Sequence, residues 1–360
     1  MIRDDLSTLP PYVPGSLNGL PLKLSSNESS LGPLPGVTRA AAEALAGANR
    51  YPDMVAYELR STIADWLGGP SSLLLDAENI AVGAGSSALI QQAVQATCRG
   101  GDAGDEVVYP WRSFEAYPIL ARVAGAEAVE VPLTPDHRND LPALAAAVTE
   151  KTRLVIVCNP NNPSGTTVTR EELVAFLGAV PSDVQVLLDE AYVEYVREDG
   201  FPDGLGLLAD YPNLAVARTF SKAYGLAGLR VGYLVGRAEF IEAVNKVCIP
   251  FSVNAVAQAA AVASIGAKDE LLARTDETVT QRARVLEHVP EDWRIGSQAN
   301  FVWLDLGDRA RDFDEAIAGF GIAVRCFDGE GVRITVTDAA ETDVVVQALD
   351  ALAPEFFPRR

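Results

Sequence analysis

Thr219-Phe220-Ser221-Lys222-Ala223-Tyr224-Gly225-Leu226-Ala227-Gly228-Leu229-Arg230 sets a lysine among small and apolar residues, with an arginine eight positions further on. Lysines ordinarily sit on wet surfaces, where the ammonium keeps its water. Here the flanking segments Leu214–Ala217 and Val231–Val235 read as buried strands, so Lys222 falls in the connection between two core elements. A desolvated lysine has a lowered pKa and becomes a usable nucleophile.

Working outward, other buried strands end in polar residues. Leu154–Val157 runs into Asn159-Pro160-Asn161-Asn162-Pro163-Ser164-Gly165-Thr166, where two prolines among asparagines predict a fixed irregular loop. Val184–Leu188 runs into Asp189, and a carboxylate closing an apolar strand is costly unless it meets a cation or several donors. Ile80–Val82 leads through Gly83-Ala84-Gly85-Ser86-Ser87 into a helix, a turn that aims free backbone N–H groups at an anion. It lacks the third glycine of a dinucleotide fingerprint. Glu106–Tyr109 is followed by an aromatic run from Trp111 through Phe114 to Tyr117. Ligands bind at the carboxyl ends of strands in open α/β sheets, which is where the Asn159–Thr166 loop falls.

The ends of the chain differ from its middle. The segment through Leu34 is rich in proline, serine and glycine and reads as an extended arm, followed by an alanine-rich helix near 37–47. Thr169-Arg170-Glu171-Glu172 fits a capping box that opens a helix. From about Phe251 the pattern turns to long helical stretches, then to strands at Ser297–Leu304 and Gly331–Val336, which reads as a separate α+β unit. Arg333, among β-branched residues, needs a bidentate partner such as a substrate carboxylate.

The Lys222 segment resembles the cofactor-lysine segment of pyridoxal-phosphate aminotransferases, in the branch that holds histidinol-phosphate and aromatic amino acid aminotransferases. The match runs in order through nearly the whole chain. It implies fold type I: an α/β fold with a mostly parallel central sheet in a large cofactor-binding domain at 35–250, a smaller α+β domain at 251–360 and an N-terminal arm at 1–34. Lys222 would form the Schiff base with pyridoxal 5'-phosphate, and Arg230, Thr219, Ser221, Ser86 and Ser87 would hold its phosphate. Asp189 would pair with the pyridine nitrogen, and Asn162 and Tyr192 with the ring oxygen. An aromatic residue stacks on the ring in this family; Phe114 matches it, with Trp111 close enough to compete. Arg333 would take the substrate α-carboxylate, and Tyr12 and Asn27 would line the substrate side. Tyr51, in Asn49-Arg50-Tyr51-Pro52-Asp53, would reach the phosphate of the neighbouring subunit, which implies a homodimer with shared active sites.

Composition bounds the partners. With 360 residues, 48% hydrophobic and 22% charged, the chain can bury two cores. A net charge of −20 argues against nucleic acid or an anionic membrane as partner. Four scattered cysteines and two histidines leave little for a metal site, and Cys158 and Cys248 read as core residues. The opening Met1–Asp5 lacks the apolar run of an export signal and Ala255–Ala267 is too short for a bilayer, so a soluble cytoplasmic protein is expected.

The resemblance leaves two substrates open. Histidinol-phosphate enzymes of this branch carry Gly-Ser-Asp-Glu or Gly-Ser-Asn-Glu at the phosphate cup, whereas this chain has Gly85-Ser86-Ser87-Ala88. The less polar cup and the aromatic runs favour amino transfer between an aromatic amino acid and a 2-oxo acid such as 2-oxoglutarate. Histidinol phosphate is the alternative, for which Arg325 could serve as a donor, and a lyase or decarboxylase of the same fold is the second.

Overall fold

Runs of valine, leucine, isoleucine and alanine pair into three sheets in a computed structural model, which describes residues 7, 9, 11–15, 17, 19–71, 74–100 and 104–357. Met1–Asp5, read above for an export signal, lies outside them. The strands are β1 (Leu22–Lys23), β2 (Ile80–Gly83), β3 (Glu106–Trp111), β4 (Glu127–Pro132), β5 (Thr152–Cys158), β6 (Gln185–Asp189), β7 (Leu214–Thr219), β8 (Gly232–Val235), β9 (Phe301–Asp305), β10 (Ile322–Ala323), β11 (Arg325–Phe327) and β12 (Gly331–Thr335). Seven form a central sheet in the order β2-β8-β7-β6-β5-β3-β4. Its pairs are parallel except the two that β8 makes. The expected mostly parallel α/β sheet is therefore present.

Side chains alternate across a strand, and this sheet is covered on both faces. Val155, Val157, Val186, Leu188 and Val216 point into one core, and Leu154, Ile156, Leu187, Ala215 and Ala217 into the other. Carried one step further, the same alternation sorts the charges at the strand ends. Asp189 and Thr219 follow Leu187 and Ala217 to one face. Glu190 and Arg218 follow Leu188 and Val216 to the opposite face, where Arg218 Nε and Nη2 donate to Glu190 Oε2 at 2.8 and 2.7 Å.

A second sheet, β11-β12-β9, is antiparallel, and β1 of the arm pairs with β10 beside it. Leu24 of the arm is buried in the core of this unit with Val302, Ile334 and Phe313. The helix Ala255–Ile265 packs instead in the core of the large sheet through Ala257, Ala260 and Ala261. The long helix Lys268–Glu287 joins the two, with Leu271 in the first core and Val285 in the other.

Local expectations mostly hold. Thr169 and Glu172 form the reciprocal capping box on the helix Arg170–Ala179, and the alanine-rich helix spans Pro35–Leu45, with proline in its first turn. Two readings are corrected. Ser297–Asn300 is not strand but a turn in which Ser297 Oγ donates to the Phe301 carbonyl and the Gln298 N–H to that of Gly165. Cys248 is half-buried rather than in a core, because it lies in the loop after the helix Ala238–Lys246, while Cys158 is fully buried.

Breaking a buried ion pair leaves one charge without compensation in a dry site. Arg218→Leu should therefore lower stability by about 3–5 kcal/mol, and adding Glu190→Leu should recover most of that loss, as read by denaturant unfolding. Equal losses in the single and double variants would contradict the pairing.

Candidate active site

A cavity of about 620 Å³ opens at the carboxyl ends of the parallel strands, between the central sheet, the arm and the β11-β12 pair. Each strand end delivers a different group to it. The β2 end supplies Gly85, which caps the helix Ser86–Thr97 with φ of +83° and no side-chain hydrogen bond to the first turn. The N–H groups of that turn are thus free of a side-chain acceptor, and Ser86 and Ser87 line the cavity. A Cβ added at Gly85 would stand 2.5 Å from Arg230 Nη2, so the glycine lets the guanidinium close over the turn. Arg230, itself in the left-handed region, donates through Nη1 to Ser221 Oγ at 3.3 Å and to the Ala227 carbonyl at 2.9 Å. Thr219 Oγ1 accepts the Ser221 N–H at 3.1 Å. Arginine, two serines, a threonine and a helix start together form a cup for a phosphate-like anion.

At the β6 end, the Asp189 carboxylate is buried. Tyr117 O–H donates to its Oδ2 at 2.7 Å, whereas Oδ1 has no partner. Burial pushes its pKa up to about 6, against the hydrogen bonds from Tyr117 and the Ala191 N–H and the nearby charge of Lys222. An unpaired, buried carboxylate oxygen facing a cavity calls for a cationic N–H.

Lys222 follows β7. Its Nζ donates to the Ser26 carbonyl at 3.2 Å and lies 5.8 Å from the centre of the Tyr192 ring. Desolvation lowers its pKa to about 7, and the charges of Arg333 and Arg230 act the same way. A substantial share of the amine is therefore neutral near pH 7, as a nucleophile or proton carrier requires.

The arm and the smaller sheet close the other side. Asn27, at φ of +56°, donates through Nδ2 to Tyr192 Oη at 3.0 Å and takes Thr335 O–H at its Oδ1. Arg333 is buried and donates to Asn162 Oδ1 at 2.6 Å and to the Ser25 carbonyl at 2.8 Å, while its Nε has no partner. Both hydrogen bonds end on neutral oxygens, and burial lowers its pKa.

Of the residues singled out from the sequence, Tyr12, Asn27, Ser86, Ser87, Phe114, Asn162, Asp189, Tyr192, Thr219, Ser221, Lys222, Arg230 and Arg333 all line this one cavity. Phe114 does so with its ring edge-on to Tyr117 at 5.5 Å and to Tyr12 at 6.3 Å. Trp111 does not, its ring being covered by the Arg112 guanidinium at 4.2 Å. Tyr51 lies outside the cavity, 82% exposed and stacked on Phe251 at 4.6 Å. Two residues escaped the sequence reading: Tyr117, which holds Asp189, and Glu115, which grips Arg325. Both partnerships join residues far apart in the chain and leave no local pattern. Among the described residues, no cluster of His, Cys, Asp and Glu could hold a metal ion, and no helix is long and apolar enough to cross a membrane.

Residues 21–349 match the family model for aminotransferase class I and II. The chain is 58% identical to an aromatic amino acid aminotransferase of Corynebacterium jeikeium, covering 98% of this chain and 94% of that one. It is 55% identical to the enzyme of the same description from Corynebacterium diphtheriae, covering 98% and 99%. The structure of histidinol-phosphate aminotransferase from Sinorhizobium meliloti, in complex with pyridoxal-5'-phosphate, superposes with a TM-score of 0.85 at 30% identity, covering 98% of this chain and 97% of that one. The anion cup, the waiting carboxylate and the desolvated lysine thus sit in a chain that belongs to the class I and II aminotransferases.

Proposed function

We propose that the protein is a pyridoxal-phosphate aminotransferase that moves the amino group between an aromatic amino acid, such as phenylalanine or tyrosine, and a 2-oxo acid such as 2-oxoglutarate. The cofactor suits the residues present. Asp189 Oδ1 is a buried acceptor without a donor, and the glycine turn, its helix start and Arg230 make a cup for a phosphate. When bound, pyridoxal phosphate supplies an aldehyde that takes up the amino group and a ring that holds the electron pair left when the Cα–H bond breaks.

This chain's residues would position and tune it. Ser86, Ser87, Thr219, Ser221 and Arg230 would bind the phosphate, Asp189 would keep the ring nitrogen protonated, and Asn162 and Tyr192 would hold the ring oxygen. Phe114 would cover the ring face. Lys222, released as a neutral amine, would take the substrate's α-proton and deliver it to the cofactor's former aldehyde carbon, across the nitrogen between the two carbons, a role its lowered pKa permits near neutrality.

The substrate reading rests on one observation. In the same cavity, a buried Arg333 with only neutral partners faces walls that include Tyr12, Phe114, Ile119 and Leu120. A lone α-carboxylate and a flat apolar side chain would satisfy both. The names of the relatives at 55–58% identity support the same choice.

Loaded protein should be yellow and should bleach with phenylalanine. Its kcat/KM for phenylalanine should exceed that for histidinol phosphate by about tenfold or more. A ratio below one would replace the substrate class, and colour that no amino donor bleaches would point to a lyase instead.

We also propose a homodimer in which Tyr51 completes the partner's phosphate site. Tyr51, Met54, Tyr57 and Ile249 are more than half exposed, which is unusual for such large apolar side chains gathered close in sequence and, through the Tyr51–Phe251 stack, in space. Mixing Lys222→Ala with Tyr51→Phe protein under subunit exchange should restore activity, because one site of each mixed dimer keeps both residues. No recovery after confirmed exchange would mean that each site is built from one chain.

A further inference from the structure

Besides Arg230 in the phosphate cup and Arg333, the cavity is lined by a third arginine, Arg325, and its charge is already matched. Arg325 of β11 stands directly opposite Arg333 of β12 in the antiparallel ladder, so both guanidinium groups leave the same face, and both line the cavity. They are treated differently. Arg333 meets only neutral oxygens, whereas Arg325 grips Glu115: Nη2 donates to Oε1 at 2.7 Å and to Oε2 at 2.8 Å, and Nε to Oε2 at 3.1 Å. The pair is well shielded, with the side chains of Arg325 and Glu115 14% and 28% exposed. Glu115 comes from the turn after β3, next to Phe114, so the pair reaches from the large sheet to the small one beside the aromatic wall.

We propose that Glu115 is a specificity-determining residue: by occupying Arg325 it leaves one uncompensated arginine outside the phosphate cup, enough for an α-carboxylate, and disfavours, relative to aromatic ones, amino acids whose side chains carry a second anion. An acidic side chain entering beside Phe114 meets a guanidinium whose Nε and Nη2 are already bound and a carboxylate of like charge. A neutral aromatic side chain meets a closed, charge-balanced pair. The half-reaction with a dicarboxylate runs against Glu115 and is the one its removal accelerates. A purely structural alternative exists, because two like charges opposite each other in a ladder need compensation. That alternative predicts loss of stability and an equal loss for every substrate.

The inference rests on the reading of the site as an aminotransferase for aromatic substrates, and the test separates the two. Single-turnover kcat/KM is measured for phenylalanine, glutamate and histidinol phosphate with the loaded unaltered enzyme, Glu115→Gln, Glu115→Ala and Glu115→Gln/Arg325→Gln, alongside the melting temperature of each. Glu115→Gln keeps the shape and removes the charge. Its glutamate-to-phenylalanine ratio should rise about tenfold, with phenylalanine itself nearly unchanged, and the gain should vanish in the double variant. Glu115→Ala should give the same direction of change if its melting temperature falls. Ratios that rise less than about threefold in both single variants, or a gain that persists without Arg325, would overturn the role of Glu115. Failure of the unaltered enzyme to prefer phenylalanine would instead strike the substrate reading, whatever the variants do.

Discussion

The Asp189 carboxylate, buried at the end of a central strand with one oxygen bound and the other bare, is the constraint around which the rest of the site is arranged. A charge so placed is costly, and burial, outweighing the hydrogen bonds from Tyr117 and the Ala191 N–H and the charge of Lys222, holds its pKa up at about 6. Tyr117 offsets part of that cost through Oδ2 and leaves Oδ1 without a partner. A ligand with a cationic ring nitrogen, as proposed, would supply the missing donor. The fold alone does not require this group; a leucine would close β6 at less cost. Its presence is therefore a statement about the ligand.

The parallel sheet makes the arrangement possible by sorting neighbouring charges onto opposite faces. Glu190 and Arg218 neutralise each other on one side, while Asp189 and Thr219 face the cavity on the other. Lys222 completes the set. Desolvation and the charges of Arg333 and Arg230 lower its pKa from 10.5 to about 7. Between those two values the unfolded chain binds the proton and the folded one does not, so folding grows more favourable as pH rises across that window. Below pH 7 the folded protein must hold an ammonium where two guanidinium groups already lie near. The same strain that weakens the fold there makes the amine reactive above it.

Much of this was legible in the sequence because it is local. Strand-then-polar-loop patterns marked the carboxyl ends of β5, β6 and β7, and the Lys222 segment carried enough identity to assign its neighbours. The readings that failed depended on tertiary contacts. Ser297–Asn300 runs straight into the apolar strand Phe301–Asp305, yet its backbone bonds to Gly165, from a loop more than a hundred residues earlier. Trp111 competes with Phe114 in sequence because the two sit close together; Phe114, the match preferred above, lines the cavity, whereas the Trp111 ring is covered by the Arg112 guanidinium. Tyr117 and Glu115 act through partners that no spacing reveals, Asp189 and Arg325 respectively.

The most direct measurement is the NMR shift of the ring nitrogen in isotope-labelled pyridoxal phosphate bound to the protein, followed with pH in the unaltered chain, Tyr117→Phe and Asp189→Asn. The nitrogen should stay protonated across the neutral range in the unaltered protein, lose its proton at lower pH in Tyr117→Phe, and be unprotonated at neutral pH in Asp189→Asn. A nitrogen with the same protonation in all three proteins, or one already neutral in the unaltered protein, would contradict the role assigned to Asp189.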